Sequence, residues 1–205
     1  MCYHTKQTKG LRQIEQRFKA KAESQELFSH PAVYNGFTFP VTPVILNSDP
    51  QHIQGVQWGL IPSWSKNEEI RAYTLNAKIE TLKEKPSFRN CLHQRCIVIA
   101  DGFYEWKWLD SSGKKKQKYL ITMPDESLFS FAGLYAVWTH PVTGNIKITY
   151  TIVTTEANEL MAEIHNHKKR MPVILNEEQE QNWLCGLSHE LFAKNEVELK
   201  AVTSY

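Results

Sequence analysis

The sequence has little of what marks a secreted, membrane-spanning or polyanion-coating protein. Its four cysteines, Cys2, Cys91, Cys96 and Cys185, form no CxxC pair and no regular framework, which argues against a zinc ribbon or a disulfide-stapled scaffold. No apolar run approaches the ~20 residues that a spanning helix needs, and no basic amphipathic anchor is present. Lys and Arg total 24 against 22 Asp and Glu, for a net charge of +2, so any nucleic-acid site must come from local clustering of cations. The eight histidines are scattered, and the closest pair, His165 and His167, has no carboxylate or thiol at metal-ligand spacing; no metal is expected. There is no repeat, linker or low-complexity segment. These absences predict one domain over residues 1–205 in a reducing, cytoplasmic setting without a membrane association.

What is present is an ordinary globular composition, 41% hydrophobic and 22% charged with nine glycines and nine prolines in 205 residues, enough to bury a substantial core. Distinctive chemistry begins at Met1-Cys2. Removal of Met1 leaves a cysteine whose α-amine and thiol sit on adjacent carbons, with unperturbed pKa values near ~8 and ~8.5. The amine attacks an aldehyde to give a Schiff base, and the thiol then closes onto the imine carbon as a thiazolidine. From position alone, the first reading of Cys2 is an accidental cysteine on a frayed terminus. The rest of the chain has to decide.

Leu11, Ile14 and Phe18 recur at spacings of three and four, predicting a surface helix with one buried stripe. Tyr34-Asn35-Gly36 offers a turn, and Pro40 and Pro43 make the stretch up to Leu46 an edge or irregular strand. Ile53 to Ile61 reads as a strand that runs into WGLIPSW, Trp58 to Trp64, whose tryptophans suit either core packing at a corner or stacking on bases. Pro86 predicts a short helix through His93, and Lys78, Lys83, Lys85 and Arg89 beside it are either a solvated face or a phosphate site.

Cys96 to Ala100 is short and continuously apolar, as for a strand buried on both faces. After the Asp101-Gly102 turn, a strand from Phe103 to Trp108 sets Phe103, Glu105 and Lys107 on one face and Tyr104, Trp106 and Trp108 on the other. If buried, Glu105 has its pKa raised toward neutrality and becomes a candidate general acid or base; on a wet face it is a cross-strand ion partner. Further strands are predicted at residues 117–123, 128–138 and 146–154. A helix follows from Glu156 to Ile164, N-capped by Thr154 or Thr155, with His165 at its C-terminus, where the macrodipole favours it. Pro172 ends any helix there, a strand follows at 173–175, a last helix runs from Asn176 toward Cys185, and residues 197–202 close as a strand. Strands with interspersed helices indicate an α+β fold.

Together, Met1-Cys2, WGLIPSW, NAKIET (76–81) with EKPSFR (84–89), CIVIADGFYEW (96–106), TTEAN (154–158) and the segment from Ile164-His165-Asn166 to RMPVIL (170–175) resemble the SOS-response-associated peptidase (SRAP) family, the abasic-site processing proteins. The resemblance covers nearly the whole chain. It implies bifurcated β-sheets forming a pseudo-barrel with flanking helices, a groove for single-stranded DNA, and covalent capture of the ring-opened aldehyde of an abasic site by Cys2, without a cofactor. It implies that Asn76 orients the cysteine amine, that Glu105 shuttles protons, and that His165 assists sugar ring opening. It places Trp58, Lys78, Thr154 and Arg170 at contacts to phosphates, bases or the abasic sugar. Lyase and (auto)peptidase activities, a monomer, and association with the nucleoid when bound to DNA complete the expectation. This chain departs from the pattern at Tyr3-His4, where many members carry Gly-Arg, and at Lys78 in place of arginine. Residues Asn166 to Lys169 intervene before Arg-Met-Pro, which makes His167 a rival to His165. Two other functions compete: a thiol hydrolase with an N-terminal nucleophile, and a non-covalent single-strand binder to which Cys2 is dispensable.

Overall fold

The computed structural model describes residues 2–28, 32–194 and 196–204. In chain order the strands are β1 (His4–Gln7), β2 (Lys21–Ala22), β3 (Ala32–Asn35), β4 (Val41–Leu46), β5 (Asp49–Trp58), β6 (Asn76–Lys78), β7 (Arg95–Ala100) and β8 (Gly102–Trp108), then β9 (Lys116–Thr122), β10 (Phe129–Thr139), β11 (Ile146–Glu156), β12 (Arg170–Pro172), β13 (Ile174–Leu175) and β14 (Lys200–Ser204). The helices are α1 (Leu11–Phe18), α2 (Glu159–Ile164) and α3 (Glu177–Leu184).

One sheet runs β14-β9-β8-β1-β3, antiparallel throughout. The other runs β12-β11-β10-β7-β4-β5-β2. In the latter, β11 also pairs in parallel with β5, Thr149 opposite Gln57 and Tyr150 opposite Trp58. That contact closes β11-β10-β7-β4-β5 into a barrel of five strands, with the remaining strands outside it. The expected α+β pseudo-barrel is the observed architecture.

The barrel strands are apolar on both sides because both sides are covered. All six residues of β7 are buried. Cys96, Val98 and Ala100 pack with Phe103 and Ile121 of the other sheet and with Cys2. Ile97 and Ile99 pack with Ile14 and Phe18 of α1 and Trp183 of α3. The predicted helix at Leu11–Phe18 is observed, and α3 starts from an Asn176 cap that exchanges hydrogen bonds with Gln179, a reciprocal capping box.

Three local expectations are corrected. The segment from Pro86 to His93 holds only a 3-10 turn at Arg89–Cys91. The N-cap of α2 is Asn158, whose side chain accepts from the Met161 N–H, because Thr154 and Thr155 still belong to β11. Of the two readings for the stretch up to Leu46, edge or irregular, the first is corrected: β4 is an interior strand, with a register shift against β5 between Val44 and Leu46. Its partner β7 joins only from Val44 onward, so Pro43 has an open flank where a missing N–H breaks no ladder.

Gly133 lies on β10 between Cys96 of β7 and Ile152 of β11. A Cβ there meets the Cys96 Sγ at 2.7 Å and the Thr151 carbonyl at 3.0 Å. Overpacking at such a site costs about 1–3 kcal/mol, so Gly133→Ala should lower the urea midpoint accordingly without changing the slope; an unchanged midpoint would mean that the barrel wall yields freely.

Candidate functional site

Cys2 lies two residues before the start of β1 and is fully buried. Asn76 Nδ2 donates to the Cys2 carbonyl at 2.9 Å. Asn76 reaches it because β6 lies parallel to β11, with Asn76 opposite Ile152 and Lys78 opposite Thr154. The Asn76 Oδ1 is buried and has no hydrogen-bond partner among the described residues. A buried amide oxygen left open costs free energy unless a donor arrives, so this atom marks a place for one.

Glu105 sits on the inward face of β8 and is 4% exposed. Burial drives its carboxyl up to about 7, since an ionised carboxylate is penalised in an apolar surround. The sequence left Glu105 open between a buried acid and a wet-face ion partner; it is the buried acid. The Cys2 thiol is pushed up as well, by burial first and by the Glu105 charge second. The same carboxyl raises Tyr3, again after burial. Cys2, Tyr3 and Glu105 therefore form one electrostatic group.

His165 follows α2 as its C-cap and is buried. Its Nδ1 lies 3.0 Å from the Arg170 N–H nitrogen and 2.9 Å from the Arg170 carbonyl oxygen. Burial is the first cause that holds its pKa down to about 4, so the ring is neutral at pH 7. His167 is exposed and stacks on Trp108, centroids 3.9 Å apart and planes at 9°. The structure thus turns His165 inward and His167 outward.

Asn166, which sequence reasoning passed over, ties this loop to the Glu105 strand. Its Oδ1 accepts from the Trp108 N–H at 3.1 Å and its Nδ2 donates to the Trp108 carbonyl at 2.9 Å. Lys107 of β8 also pairs with Glu163 of α2. The only signal in the sequence was an amide in a polar insertion.

Arg170 lies on β12 against β11. Its guanidinium makes a bidentate pair with Glu80 at 2.8 and 2.9 Å, and Nη2 also donates to the Thr154 carbonyl at 2.8 Å. Glu80, in the NAKIET stretch, was likewise missed. Lys78, two residues earlier, is exposed.

Two of the expected DNA contacts are enclosed in this structure. Trp58 is enclosed, its Nε1 donates to the Leu75 carbonyl at 2.8 Å, and its ring lies parallel to that of Tyr150; it belongs to the barrel closure and offers no face to a base. Thr154 is also fully buried, with its hydroxyl on the Ala77 carbonyl at 3.3 Å. The aromatic of that segment with an open face is Trp64, which is 52% exposed and tethered by its Nε1 to the Pro86 carbonyl. Among the described residues, no group of three or more His, Cys, Asp and Glu is placed to hold a metal ion.

The family model described as SOS response associated peptidase (SRAP) matches residues 1–203. The chain belongs to the SRAP family. It is 46% identical over 156 residues to an abasic site processing protein, YoqW, of Bacillus subtilis (strain 168), a match spanning 76% of this chain and 67% of that protein. It is 34% identical over 162 residues to the abasic site processing protein HMCES of Gallus gallus, spanning 67% of this chain and 46% of that one. A crystal structure of a Bacteroides thetaiotaomicron protein superposes with a TM-score of 0.88 at 34% identity, over 98% of this SRAP chain and 91% of that one.

The raised acid has a stability signature. The folded state holds the Glu105 proton more tightly than the unfolded chain, so its contribution is full below the unfolded value of 4.5 and is lost as pH rises through about 7. Glu105→Gln removes that loss. Denaturation curves of the two proteins should coincide near pH 4.5 and separate to roughly 3 kcal/mol in favour of the variant by pH 8. Parallel curves at both pH values would mean that water reaches the carboxylate.

Proposed function

We propose that this SRAP chain processes abasic sites in single-stranded DNA by capturing the ring-opened aldehyde on Cys2 once Met1 has been removed. The observation that carries the reading is the enclosure of Cys2 beside the proton-holding Glu105, with Asn76 holding the Cys2 carbonyl through Nδ2 and its own Oδ1 open to a donor. The printed names of the YoqW and HMCES relatives support the substrate.

The electrostatics set an order of events. The buried thiol is held protonated at neutral pH, so the amine is the first nucleophile. Glu105, with a pKa near 7, takes a proton from the ammonium. The amine adds to C1′ of the aldehyde, and the carbinolamine loses one water to become an imine, Glu105 giving one proton to the leaving hydroxyl and taking the one that nitrogen releases, so that the proton first taken from the ammonium stays on Glu105. Sulfur then adds to the imine carbon while the thiol proton passes to nitrogen. The net change is one water released, with no redox step. Neutral His165 is suited to accept or lend a proton at the sugar during ring opening, since Nδ1 is anchored on Arg170. Lys78 supplies a cation for phosphate, and the Trp64 face serves a neighbouring base.

The thiol hydrolase reading has weaker support, because a hydrolase needs a thiolate with an adjacent base. The hydrogen bond of the Cys2 Sγ is to the His4 carbonyl at 3.9 Å, and burial suppresses ionisation.

The deciding test is denaturing electrophoresis of Met1-processed protein with single-stranded DNA that carries one abasic site. A band that survives denaturant and is absent from Cys2→Ala is the expected result. No such band, with processing verified by mass spectrometry, would sink the proposal. The capture rate should rise with pH through a midpoint near 7, and Glu105→Gln should lower it about a hundredfold and abolish that limb, leaving the amine's own near ~8. A variant that kept the wild-type profile would remove Glu105 from the proton path.

A further inference from the structure

One edge of β8, the strand that carries Glu105, is completed by three different partners. In an antiparallel strand every second residue directs its N–H and carbonyl to the same side, so Tyr104, Trp106 and Trp108 share the edge on the β1 side. β1 covers this edge at Tyr104, opposite His4. The Trp106 N–H, next along, donates to the Glu105 carboxyl. Among the described residues no strand reaches Trp108 on this edge. Its N–H and carbonyl are both taken by the Asn166 side chain, at 3.1 and 2.9 Å. A carboxamide that accepts and donates in this way closes the ladder as one further strand residue would.

Asn166 directly follows His165 and stands in a loop that is closed at its base. The Lys169 N–H donates to the His165 carbonyl at 2.8 Å, and the Ala157 N–H donates to the Lys169 carbonyl at 3.0 Å, with Lys169 in the left-handed region at φ 48°. The Arg170 N–H holds His165 Nδ1. The tip of the loop is held by β8, through the two Asn166 bonds and through the His167 ring that lies on Trp108. These ties add little to the core. Helix α2 is already seated by Met161 and Ile164, both buried, whereas Asn166 is exposed. What they fix is the setting of the His165 peptide against the strand of Glu105.

We infer that Asn166 is a positioning residue for the opening of the abasic sugar ring, clasping the free edge of β8 so that His165 keeps a fixed place relative to Glu105 and the Cys2 terminus. The inference rests on the capture reading and adds to it the device that fits the site to a closed sugar as well as to a free aldehyde. Ring opening moves a proton from the C1′ hydroxyl to the ring oxygen, and the C1′–O4′ bond breaks as the C1′ carbonyl forms. A transfer between two atoms of one ligand depends on where the imidazole stands, and a misplacement of about 1 Å costs up to ~100-fold. A simple aldehyde has no ring to open and makes no such demand.

The test compares two electrophiles on Met1-processed protein. One is single-stranded DNA with one abasic site, with capture followed by denaturing electrophoresis; the other is propanal, followed by intact-protein mass. Asn166→Ala should lower the maximal capture rate on DNA about tenfold while leaving the half-saturating DNA concentration and the propanal rate unchanged. Asn166→Asp, which keeps the acceptor for the Trp108 N–H and loses the donor, should fall between Asn166→Ala and wild type on DNA. In a His165→Ala background Asn166→Ala should cost nothing further, because residues that act as one unit are not additive. Hydrogen exchange at the Trp108 amide should quicken in Asn166→Ala while the β10 and β11 amides keep their protection, as expected of a folded but unclasped protein. An equal loss on both electrophiles, a full additional loss in the His165→Ala background, or an unchanged rate on DNA would overturn the inference. Failure of the capture reading is distinguishable, since it appears as a missing denaturant-stable band from the wild-type protein before Asn166 is changed.

Discussion

The short parallel contact between β11 and β5 is the constraint on which the rest of the structure depends. Only Thr149 with Gln57 and Tyr150 with Trp58 make it, yet without it the five central strands would be an open sheet. Closure turns Trp58 and Tyr150 into a stacked pair inside the wall, and it leaves the later part of β11 free to take β6 on one side and β12 on the other. Those neighbours deliver Asn76, Lys78 and Arg170 to one end of the barrel. A residue that looked like a base-stacking platform is therefore a structural bolt, and the site depends on it at one remove.

Enclosure governs the chemistry at that end. The same desolvation acts on three groups and moves each one differently. It suppresses the Cys2 thiolate, holds a proton on Glu105 up to about neutrality and strips one from His165. An exposed N-terminal cysteine has competing amine and thiol chemistry. In an enclosed one the thiol is held neutral, which leaves the amine as the stronger nucleophile. The buried carboxyl also costs the fold stability above neutral pH, which is the sort of local expense that functional sites carry.

Much of this was legible in the sequence, for identifiable reasons. The period of two from Phe103 to Trp108 assigned Glu105 to the face of Phe103, and the apolar run of β7 announced a strand covered on both sides. What periodicity does not report is which strands meet across the chain. The enclosure of Trp58 and Thr154 follows from β5–β11 and β6–β11 contacts between segments far apart in sequence. Pro43 signalled an edge, because a proline reports its own missing N–H and not whether the neighbouring strand extends that far. Which of His165 and His167 is enclosed was likewise unavailable from spacing; the Arg170 backbone clasps the first ring and Trp108 stacks on the second.

Arg170 shows how a residue with phosphate-binding chemistry can be engaged within the fold. Its guanidinium is 11% exposed and already holds Glu80 through two bonds and the Thr154 carbonyl through a third. A phosphate would have to displace a bidentate carboxylate of matching geometry, so direct contact yields little net gain. The structural yield is larger. The guanidinium joins β12 to β11 and to the NAKIET turn, while the backbone of the same residue fixes the His165 ring. Lys78, exposed on the neighbouring strand, is a point charge without a fork, and such a charge adapts to an anion whose position varies. The forked cation is engaged inside the fold, and the flexible one stands in solvent.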